Sequence, residues 1–259
     1  MEKLLVAKIG GNIVDNDEAL ESFLKDFAAI DQPKILIHGG GKIATRVAEK
    51  MGVETQMLNG RRITSKENLD IVVQLYAGLI NKNIVAQLQA SGVCNAIGFT
   101  GADANLIQAV KRPVKDIDYG YVGDVVSVNE DRIHQFLANN LSPVFCAITH
   151  NEKGQLFNTN ADTIASQIAV AMSNYYEVSL YYCFELQGVL TDINDKDSVI
   201  TDINTQKYTE LKDQGIIADG MLPKMENCFD ALNKGVTEVH IANSEFVNDQ
   251  SVLHTTLTL

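Results

Sequence analysis

Three polar side chains crowd the start of one helical pattern just past the middle of the chain. In NTNADTIASQIA, residues 158–169, Asn158, Asn160 and Asp162 precede a run of small and apolar residues. A helix start needs only one such side chain as its cap. Asparagine both donates and accepts hydrogen bonds, whereas an aspartate only accepts, so the group predicts a polar binding site. Taken alone, Asp162 is more typical of a cap or of a first-turn partner for the helix dipole.

Three cationic side chains occur in segments that could contribute to such a site. Lys8 ends an otherwise apolar strand, where an unpaired buried ammonium is costly, so it is expected to point into a polar cleft or to reach solvent at the strand end. Arg62, in NGRRIT, carries a planar fork that suits a carboxylate, while Arg61 has the pattern of a surface charge. Lys224, in DGMLPKM, lies near an irregular helix start and by itself is typical of a surface lysine.

Two glycine turns are predicted to follow the first two strands. Gly10-Gly11 follows KLLVAKI, and Gly39-Gly40-Gly41 follows KILIH. Glycine lets the backbone approach a ligand closely, and the amide groups that open the next helix attract anions. Either turn alone is typical of a tight strand-to-helix connection, and neither has the G-x-x-x-x-G-K-[ST] spacing of a Walker loop.

Composition and charge exclude several classes of protein. The chain has 259 residues and a formal net charge of −12 without a basic cluster, so nucleic acid and anionic membranes are poor partners. No apolar run approaches the ~18 to 20 residues of a membrane span, and the N-terminal segment has the pattern of a strand rather than of a signal peptide. Cysteines without C-x-x-C spacing and the lack of an i, i+4 histidine pair predict reduced thiols and no histidine-bound metal. We therefore expect a cytoplasmic protein.

Strand and helix patterns alternate along the chain. Apolar strands such as KILIH and SPVFCAITH alternate with helical patterns such as DEALESFLKDFAAI and MLPKMENCFDALNKG. This alternation predicts an α/β fold with an open, mostly parallel sheet and helices on both faces. Residues 67–92 are expected to form one long helix or two joined helices, and 147–151 is the best boundary between two halves that share the sheet. In such sheets ligands bind beyond the carboxyl ends of the strands, where both glycine turns are predicted.

The order and spacing of many motifs resemble the amino acid kinase family. The resemblance runs through KIGGNIVD, HGGGK, NGRRIT, GFTGADANL, YGYVGDV, GQLFNTNADTIASQIA, QGVL and DGMLPK, from residue 3 to about residue 245. The combination of NGxRxT with NxNAD is similar to the branch that acts on N-acylated glutamate. The resemblance implies an open α/β/α sandwich in which residues 1–148 bind the acylglutamate and form a dimer, and residues 149–259 bind ATP.

The resemblance also implies roles for the residues singled out above. Those implied to hold the acylated glutamate are Gly40, Gly41, Arg62, Asn158 and Asn160, the last as a brace or a helix cap. Those implied to act on the transferring phosphoryl group are Lys8, Lys224 and Asp162, which would orient the two lysines. The nucleotide phosphates would lie at Gly10 and Gly11. The family uses ATP with Mg²⁺, here with no protein metal ligand predicted, and makes an acyl phosphate for arginine biosynthesis.

The chain departs from the family pattern in three places. Cys183-Phe184-Glu185 stand where relatives have Leu-Ser/Thr-Asp, so the charge is kept at Glu185 and a hydroxyl is lost at Phe184. HTTLTL replaces the usual C-terminal Gly-Thr signature. Relatives that arginine inhibits have an additional N-terminal helix, which is not matched here, so a homodimer insensitive to arginine is expected.

Two other functions stay open at this point. A longer acyl group ending in a carboxylate, as in N-succinylglutamate, would need an additional cation, for which Arg61, Lys66 and Lys82 are candidates. A protein of another class, a non-catalytic nucleotide-binding regulator, would fit the changes at Phe184 and at the C-terminus. The retained lysines and arginine of the motifs argue against that second alternative.

Overall fold

The computed structural model of the chain describes residues 1–58, 61–218, 221–247, 249 and 251–259, with the backbone alone at positions 223 and 246. The NG of NGRRIT and the DG of DGMLPKM therefore lie outside the described residues. Within the described part, no helix combines the length and the apolar character that crossing a bilayer requires.

Strands and helices alternate along most of the chain. The strands are β1 (Glu2–Ile9), β2 (Lys34–His38), β3 (Gln56–Leu58), β4 (Arg61–Ile63), β5 (Ala96–Phe99), β6 (Ile107–Lys111), β7 (Gly123–Val128), β8 (Ser142–Cys146), β9 (Ile148–His150), β10 (Leu156–Asn158), β11 (Tyr176–Cys183), β12 (Asp202–Ile203), β13 (Glu238–Ala242) and β14 (Thr255–Leu257). The α-helices are α1 (Gly11–Val14), α2 (Asp17–Ala29), α3 (Gly41–Lys50), α4 (Lys66–Val73), α5 (Asn81–Ala90), α6 (Glu130–Ala138), α7 (Ala161–Met172), α8 (Thr205–Asp213) and α9 (Leu222–Asn233). Short 3₁₀ turns lie at Asp103–Asn105 and Ser244–Val247.

An eight-stranded sheet forms the centre of the molecule. Its strand order is β12-β14-β13-β11-β1-β2-β8-β5, and β13 and β14 are the antiparallel neighbours in an otherwise parallel sheet. β1 and β11 pair in register from Glu2 and Tyr176 to Ile9 and Cys183. Because β1 belongs to the N-terminal half and β11 to the C-terminal half, both halves contribute to one sheet.

Burial on both faces explains why the central strands are so apolar. Leu4–Ala7 of β1 and Ile35–Ile37 of β2 are buried, as is usual for strands covered by helices on both sides. On one side α7 packs against β1, β2 and β11, and α9 packs against β13 and α7. On the other, α5 packs against β5 and β8, and α2 packs against α5. The predicted α/β fold with an open, mostly parallel sheet is confirmed.

Of the smaller β elements beside this sheet, the sequence patterns predict β7, in YVGDVVSV, and include β9 in SPVFCAITH, but do not predict β3, β4, β6 and β10. A four-stranded sheet has the order β10-β9-β6-β7, with β6 and β9 parallel and the other neighbours antiparallel. β3 and β4 form a separate antiparallel pair. SPVFCAITH, expected as one strand, is divided at Ala147 into β8 and β9, which belong to different sheets. This transfer of the chain between sheets lies at the edge of the segment 147–151 that the sequence suggests as a boundary.

The long helix expected over residues 67–92 contains a π-helical segment. α4, the π-helix Gln74–Ile80 and α5 follow one another without a break. A π-helix closes its hydrogen bonds between residues five apart and is frequent at functional sites. Here it brings Tyr76 and Ile80 against Gly40 of the second glycine turn.

Candidate active site

The residues expected to do chemistry meet at the carboxyl ends of β1, β2 and β11. Lys8 lies beside Ile37 of β2 and Tyr182 of β11 in the register of the sheet. The two glycine turns follow β1 and β2 directly. Two cavities open at this edge, and Gly41 and Arg62 line both of them. The structure thus places the expected cations around one connected space.

The larger of the two, which we call the lysine cavity, has a volume of about 560 Å³. Among the residues that line it are Lys8, Gly10, Gly11, Asp162, Phe184 and Lys224. Lys8 Nζ lies 2.7 Å from Asp162 Oδ1, and both side chains are largely buried. The ion pair neutralises an ammonium that would otherwise be costly to bury, so Lys8 faces the cleft rather than bulk solvent.

The first turn of α7 holds Asp162. Asn160 caps this helix, because its Oδ1 accepts a hydrogen bond from the backbone N–H of Thr163 at 3.0 Å. The Tyr182 hydroxyl donates to the backbone carbonyl of Asp162 at 3.1 Å. Since Asn160 supplies the cap, the Asp162 carboxylate is left to pair with Lys8.

Lys224 reaches the lysine cavity from the C-terminal half, in the first turn of α9. Its Nζ lies 4.2 Å from the centroid of the Phe184 ring, and Lys8 Nζ lies 5.2 Å from the same centroid. Of the two contacts implied for Asp162, the described residues contain the one with Lys8 and no ion pair with Lys224. Two ammonium groups from different halves of the chain therefore converge on one aromatic ring.

The smaller cavity, which we call the arginine cavity, has a volume of about 180 Å³. The expected residues that line it are Gly39, Gly40, Gly41, Arg62, Asn158 and Asn160. Asn158, at the end of β10, donates from Nδ2 to Thr64 Oγ1 at 3.1 Å. The structure therefore brings together all the residues implied to hold an acylated glutamate.

Hydrogen bonds fix the direction of the Arg62 guanidinium. Nη1 donates to Thr55 Oγ1 at 3.0 Å, and Nη2 donates to the Gly41 carbonyl at 2.9 Å and to Thr45 Oγ1 at 2.7 Å. The residue is only 6% exposed. Burial lowers the pKa of Arg62, but an arginine remains charged in proteins. A positive charge is thus held in place at the wall between the two cavities.

Gly40 occupies a position that excludes any side chain. Its φ is 155°, and a Cβ there would lie 2.5 Å from Ile80 Cδ1 and 2.9 Å from Tyr76 Cε1. Separations that short would force the π-helical segment away from the turn. Glycine is therefore required for the close contact between this turn and the helix.

His38 braces the same turn from the core. This fully buried side chain has Nδ1 2.8 Å from the Gly39 carbonyl and Nε2 3.1 Å from Asn81 Nδ2. Because the Asn81 amide nitrogen can only donate, Nε2 accepts and Nδ1 carries the proton donated to Gly39. Burial lowers the pKa of His38 to about 4, so the ring is neutral near pH 7. A trans peptide points its C=O and N–H in opposite directions, so this contact turns the Gly40 N–H away from the core.

Two further residues of the arginine cavity, Arg112 and Tyr76, are not indicated by the sequence, and Arg61 is indicated only as a candidate cation for a longer acyl chain. Arg112 Nε donates to Asp124 Oδ1 at 3.0 Å. Arg61, interpreted as a surface charge, is half-buried, and burial followed by the nearby Arg112 lowers its pKa. Of the three candidate cations for an acyl chain, Arg61 is the one that lines this cavity, whereas no local pattern indicates Arg112 or Tyr76.

The other cations considered for an acyl chain are engaged elsewhere. Lys66 Nζ pairs with Asp70 Oδ1 at 2.6 Å on the exposed face of α4. Lys82 Nζ donates to Asn81 Oδ1 at 3.1 Å and to the Gly98 carbonyl at 3.3 Å. Across the ranges that the structure describes, no group of three or more histidine, cysteine or acidic side chains is arranged to hold a metal ion.

Comparisons with known proteins show what the chain is similar to. The model of the amino acid kinase family matches residues 3–243. An acetylglutamate kinase of Cytophaga hutchinsonii is 53% identical over 99% of each chain. One of Phocaeicola vulgatus is 51% identical over 96% of this chain and 97% of its own. Among solved structures, smu.665 from Streptococcus mutans UA159 superposes with a TM-score of 0.80 at 26% identity, over 98% of each chain.

Proposed function

We propose that this chain, which belongs to the amino acid kinase family, transfers the terminal phosphoryl group of ATP to the side-chain carboxylate of N-acetylglutamate. The product would be an acyl phosphate, used in arginine biosynthesis. Relatives that are 53% and 51% identical carry the name acetylglutamate kinase. The structural observation that carries the proposal is the wall of Gly41 and Arg62 shared by the two cavities, where an acceptor and a phosphoryl donor can meet.

The acceptor is assigned to the arginine cavity. The Arg62 guanidinium, held by its hydrogen bonds, fixes a positive charge for a carboxylate that is not being phosphorylated, which in an acylated glutamate is the α-carboxylate. The Asn158 amide can donate and accept at once, as an N-acyl amide beside a carboxylate requires. The Gly40 and Gly41 backbone lines the same space, so amide groups of this turn are available to the acceptor.

The transfer of the phosphoryl group is assigned to the lysine cavity. A carboxylate is already nucleophilic, so the reaction needs no general base. The difficulty is electrostatic, because an anionic nucleophile approaches a triphosphate and negative charge then spreads over the transferred group. Lys8 and Lys224 place two positive charges in this cavity before the reaction, and Asp162 fixes the first of them. Such preorganised charge is what stabilises this class of transition state.

The residues of the lysine cavity fit ATP with Mg²⁺. Two ammonium groups and the Gly10-Gly11 turn suit a polyphosphate, and residues 149–259 are proposed to hold the rest of the nucleotide. Magnesium usually binds through substrate phosphates with few protein ligands. Bound in this way, the ion would neutralise phosphate charge.

The hydroxamate trap for acyl phosphates tests the proposal. Purified protein is incubated with Mg-ATP, hydroxylamine and either N-acetylglutamate or free glutamate. We expect hydroxamate with the acylated substrate and little with free glutamate. Absence of hydroxamate with every acylated glutamate would contradict the proposal, and nucleotide binding without turnover would then favour the non-catalytic regulator.

A second candidate acceptor is N-succinylglutamate, whose acyl chain ends in a carboxylate. Arg61 and Arg112 line the arginine cavity in addition to Arg62, and Asp124 is the acidic partner of Arg112 there. Because Arg112 already pairs with Asp124, Arg61 is the guanidinium of this cavity that a carboxylate at the end of the acyl chain would contact.

The two acceptors are separated by measuring kcat/KM for both with wild-type protein and with Arg61→Gln. If the acyl chain carries a carboxylate, Arg61→Gln lowers kcat/KM for N-succinylglutamate by roughly tenfold, the loss of one hydrogen-bonded charge, and changes that for N-acetylglutamate much less. Lys66→Gln is the matched control, since Lys66 pairs with Asp70 outside the cavity. Equal effects on both acceptors would remove the second candidate.

The assembly, regulation and location of the protein are also proposals. We propose an arginine-insensitive homodimer in the cytoplasm, with residues 1–148 forming the dimer contact. Size-exclusion chromatography with light scattering tests the dimer, and turnover measured with added arginine tests the insensitivity.

A further inference from the structure

Phe184 contacts both catalytic ammonium groups, although the motif to which it belongs ordinarily has a hydroxyl at this position. Its half-buried ring lines the lysine cavity. Lys224 Nζ lies 4.2 Å from the ring centroid and Lys8 Nζ lies 5.2 Å from it. Both distances fall within the range in which the negative face of an aromatic ring attracts a cation.

The two lysines differ in their other partners. Lys8 is neutralised by the Asp162 carboxylate at 2.7 Å. For Lys224, the contacts recorded among the described residues include the Phe184 ring and no ion pair. Among the described residues, the ring is therefore the group that attracts the Lys224 ammonium most directly, and it attracts Lys8 as well although the two ammonium groups repel each other.

The backbone fixes the ring in this place. Phe184 follows β11 directly, and its N–H donates to the Ala242 carbonyl of β13 at 2.8 Å. Its ring stacks on Tyr182 with a centroid separation of 6.2 Å and an interplanar angle of 11°. Tyr182 in turn donates to the Asp162 carbonyl. The Tyr182–Phe184 pair at the end of β11 thus contacts the segments that carry Lys8, Asp162 and Lys224.

We propose that Phe184 is a positioning residue that holds the Lys224 ammonium next to Lys8 through a cation–π contact. The inference rests on the proposed phosphoryl transfer and adds a residue to it. A ring does what a hydroxyl would not: it attracts both cations from one position without accepting a directed hydrogen bond from either. The contact is worth about 0.5 to 2 kcal/mol, which corresponds to roughly two- to thirtyfold in rate.

The kinetic test compares Phe184→Leu, which removes the ring, with Phe184→Tyr, which keeps it. We expect Phe184→Leu to lower kcat by roughly two- to thirtyfold with the KM for the acylated glutamate unchanged, and Phe184→Tyr to restore most of that turnover. Phe136→Leu is the matched control, because Phe136 is also half-buried but packs on Phe99 instead. Wild-type kcat in Phe184→Leu, or equal losses in the leucine and tyrosine variants, would overturn the proposal.

A spectroscopic test reads the contact itself. In protein with ¹³C-labelled lysine, the ring current should shift the ε-methylene signal of Lys224 upfield, and Lys224→Ala identifies that signal. Phe184→Leu should return it toward the value of a free lysine, whereas Phe184→Tyr should keep it shifted. An unshifted signal in the wild type would overturn the proposal even if the leucine variant failed to fold. Because this readout needs no turnover, it separates failure of the contact from failure of the proposed kinase activity.

Discussion

The arginine cavity and the lysine cavity share a wall but hold their charges in different ways. In the first, Arg62 makes three hydrogen bonds, and His38 binds the Gly39 carbonyl. In the second, Lys8 has one close carboxylate, and both lysines lie against a ring. Recognition of a planar carboxylate depends on direction, whereas stabilisation of a spreading phosphoryl charge depends on the position of positive charge. The comparison predicts that substitutions in the first cavity change acceptor affinity and those in the second change turnover.

The largest effect is expected from Lys224→Ala. It removes one preorganised charge from the lysine cavity, which typically costs ~10²- to 10³-fold in kcat, about 2.7 to 4 kcal/mol. The KM for the acceptor should change much less, because Lys224 does not line the arginine cavity. Steady-state kinetics with varied acceptor measures both. A kcat like that of the wild type would remove Lys224 from the reaction.

The second-largest effect is expected from Asp162→Asn. It should lower kcat by up to ~10²-fold, because an unpaired Lys8 can move by about 1 Å from its productive position. Asn160 already caps α7, so a fall in the unfolding midpoint is expected from the unpaired, largely buried Lys8 and not from a lost helix cap. The kcat and the unfolding midpoint are measured on the same preparation. A lowered midpoint with unchanged kcat would mean that Asp162 stabilises the fold without positioning Lys8 for the reaction.

Arg62→Lys tests whether the arginine cavity determines the affinity for the acceptor. A point charge cannot reproduce the paired hydrogen bonds of a guanidinium, so we expect the acceptor KM to rise by about 10- to 100-fold, the loss of one or two bonds to a charged group. The KM for ATP should stay nearly constant. A fall in kcat at unchanged acceptor KM would break the proposed division between the cavities.

The smallest expected effect is on the pH dependence of the free energy of unfolding, through His38 beside the arginine cavity. Burial lowers the pKa of His38 to about 4, whereas an unfolded histidine has a pKa of about 6.5. Between these values the unfolded chain takes up a proton that the folded chain does not, so the free energy of unfolding falls as the pH falls. From pH 6.5 to pH 5 the expected loss is about 2 kcal/mol.

Urea unfolding of wild type and of His38→Asn at both pH values measures this loss. The asparagine can still donate to the Gly39 carbonyl but does not titrate, so the loss attributable to position 38 should disappear. Identical pH dependence in the two proteins would show that His38 is not held neutral in the fold.

The sequence predicts six of the eight strands of the central sheet, because those strands are apolar and most are bounded by turn residues. It does not predict β3, β4, β6, β10, β12 and β14, which have two to five residues and partly exposed faces. Such short strands are defined by the neighbours with which they pair. The division of SPVFCAITH between two sheets likewise depends on tertiary packing rather than on local pattern.

The residues of the candidate site also differ in whether the sequence indicates them. Lys8, Arg62 and Asp162 lie in motifs whose local composition is unusual enough to mark them. Arg112 comes from a segment between β6 and β7, and Tyr76 is turned inward by a π-helical segment, for which the sequence offers no local signal. Residues that reach a cavity through irregular backbone are the ones that pattern reasoning does not find.

The pairing of β1 with β11 also constrains how the chain acquires its structure. β1 lies between β2 and β11, so one of its edges stays open until about 170 further residues have been added during synthesis. Contacts between such distant segments form slowly, and an open apolar strand edge invites association with other chains. Nascent and refolding chains should therefore be most prone to aggregation before β11 docks, and a chain truncated ahead of Tyr176 should depend on chaperones to stay in solution.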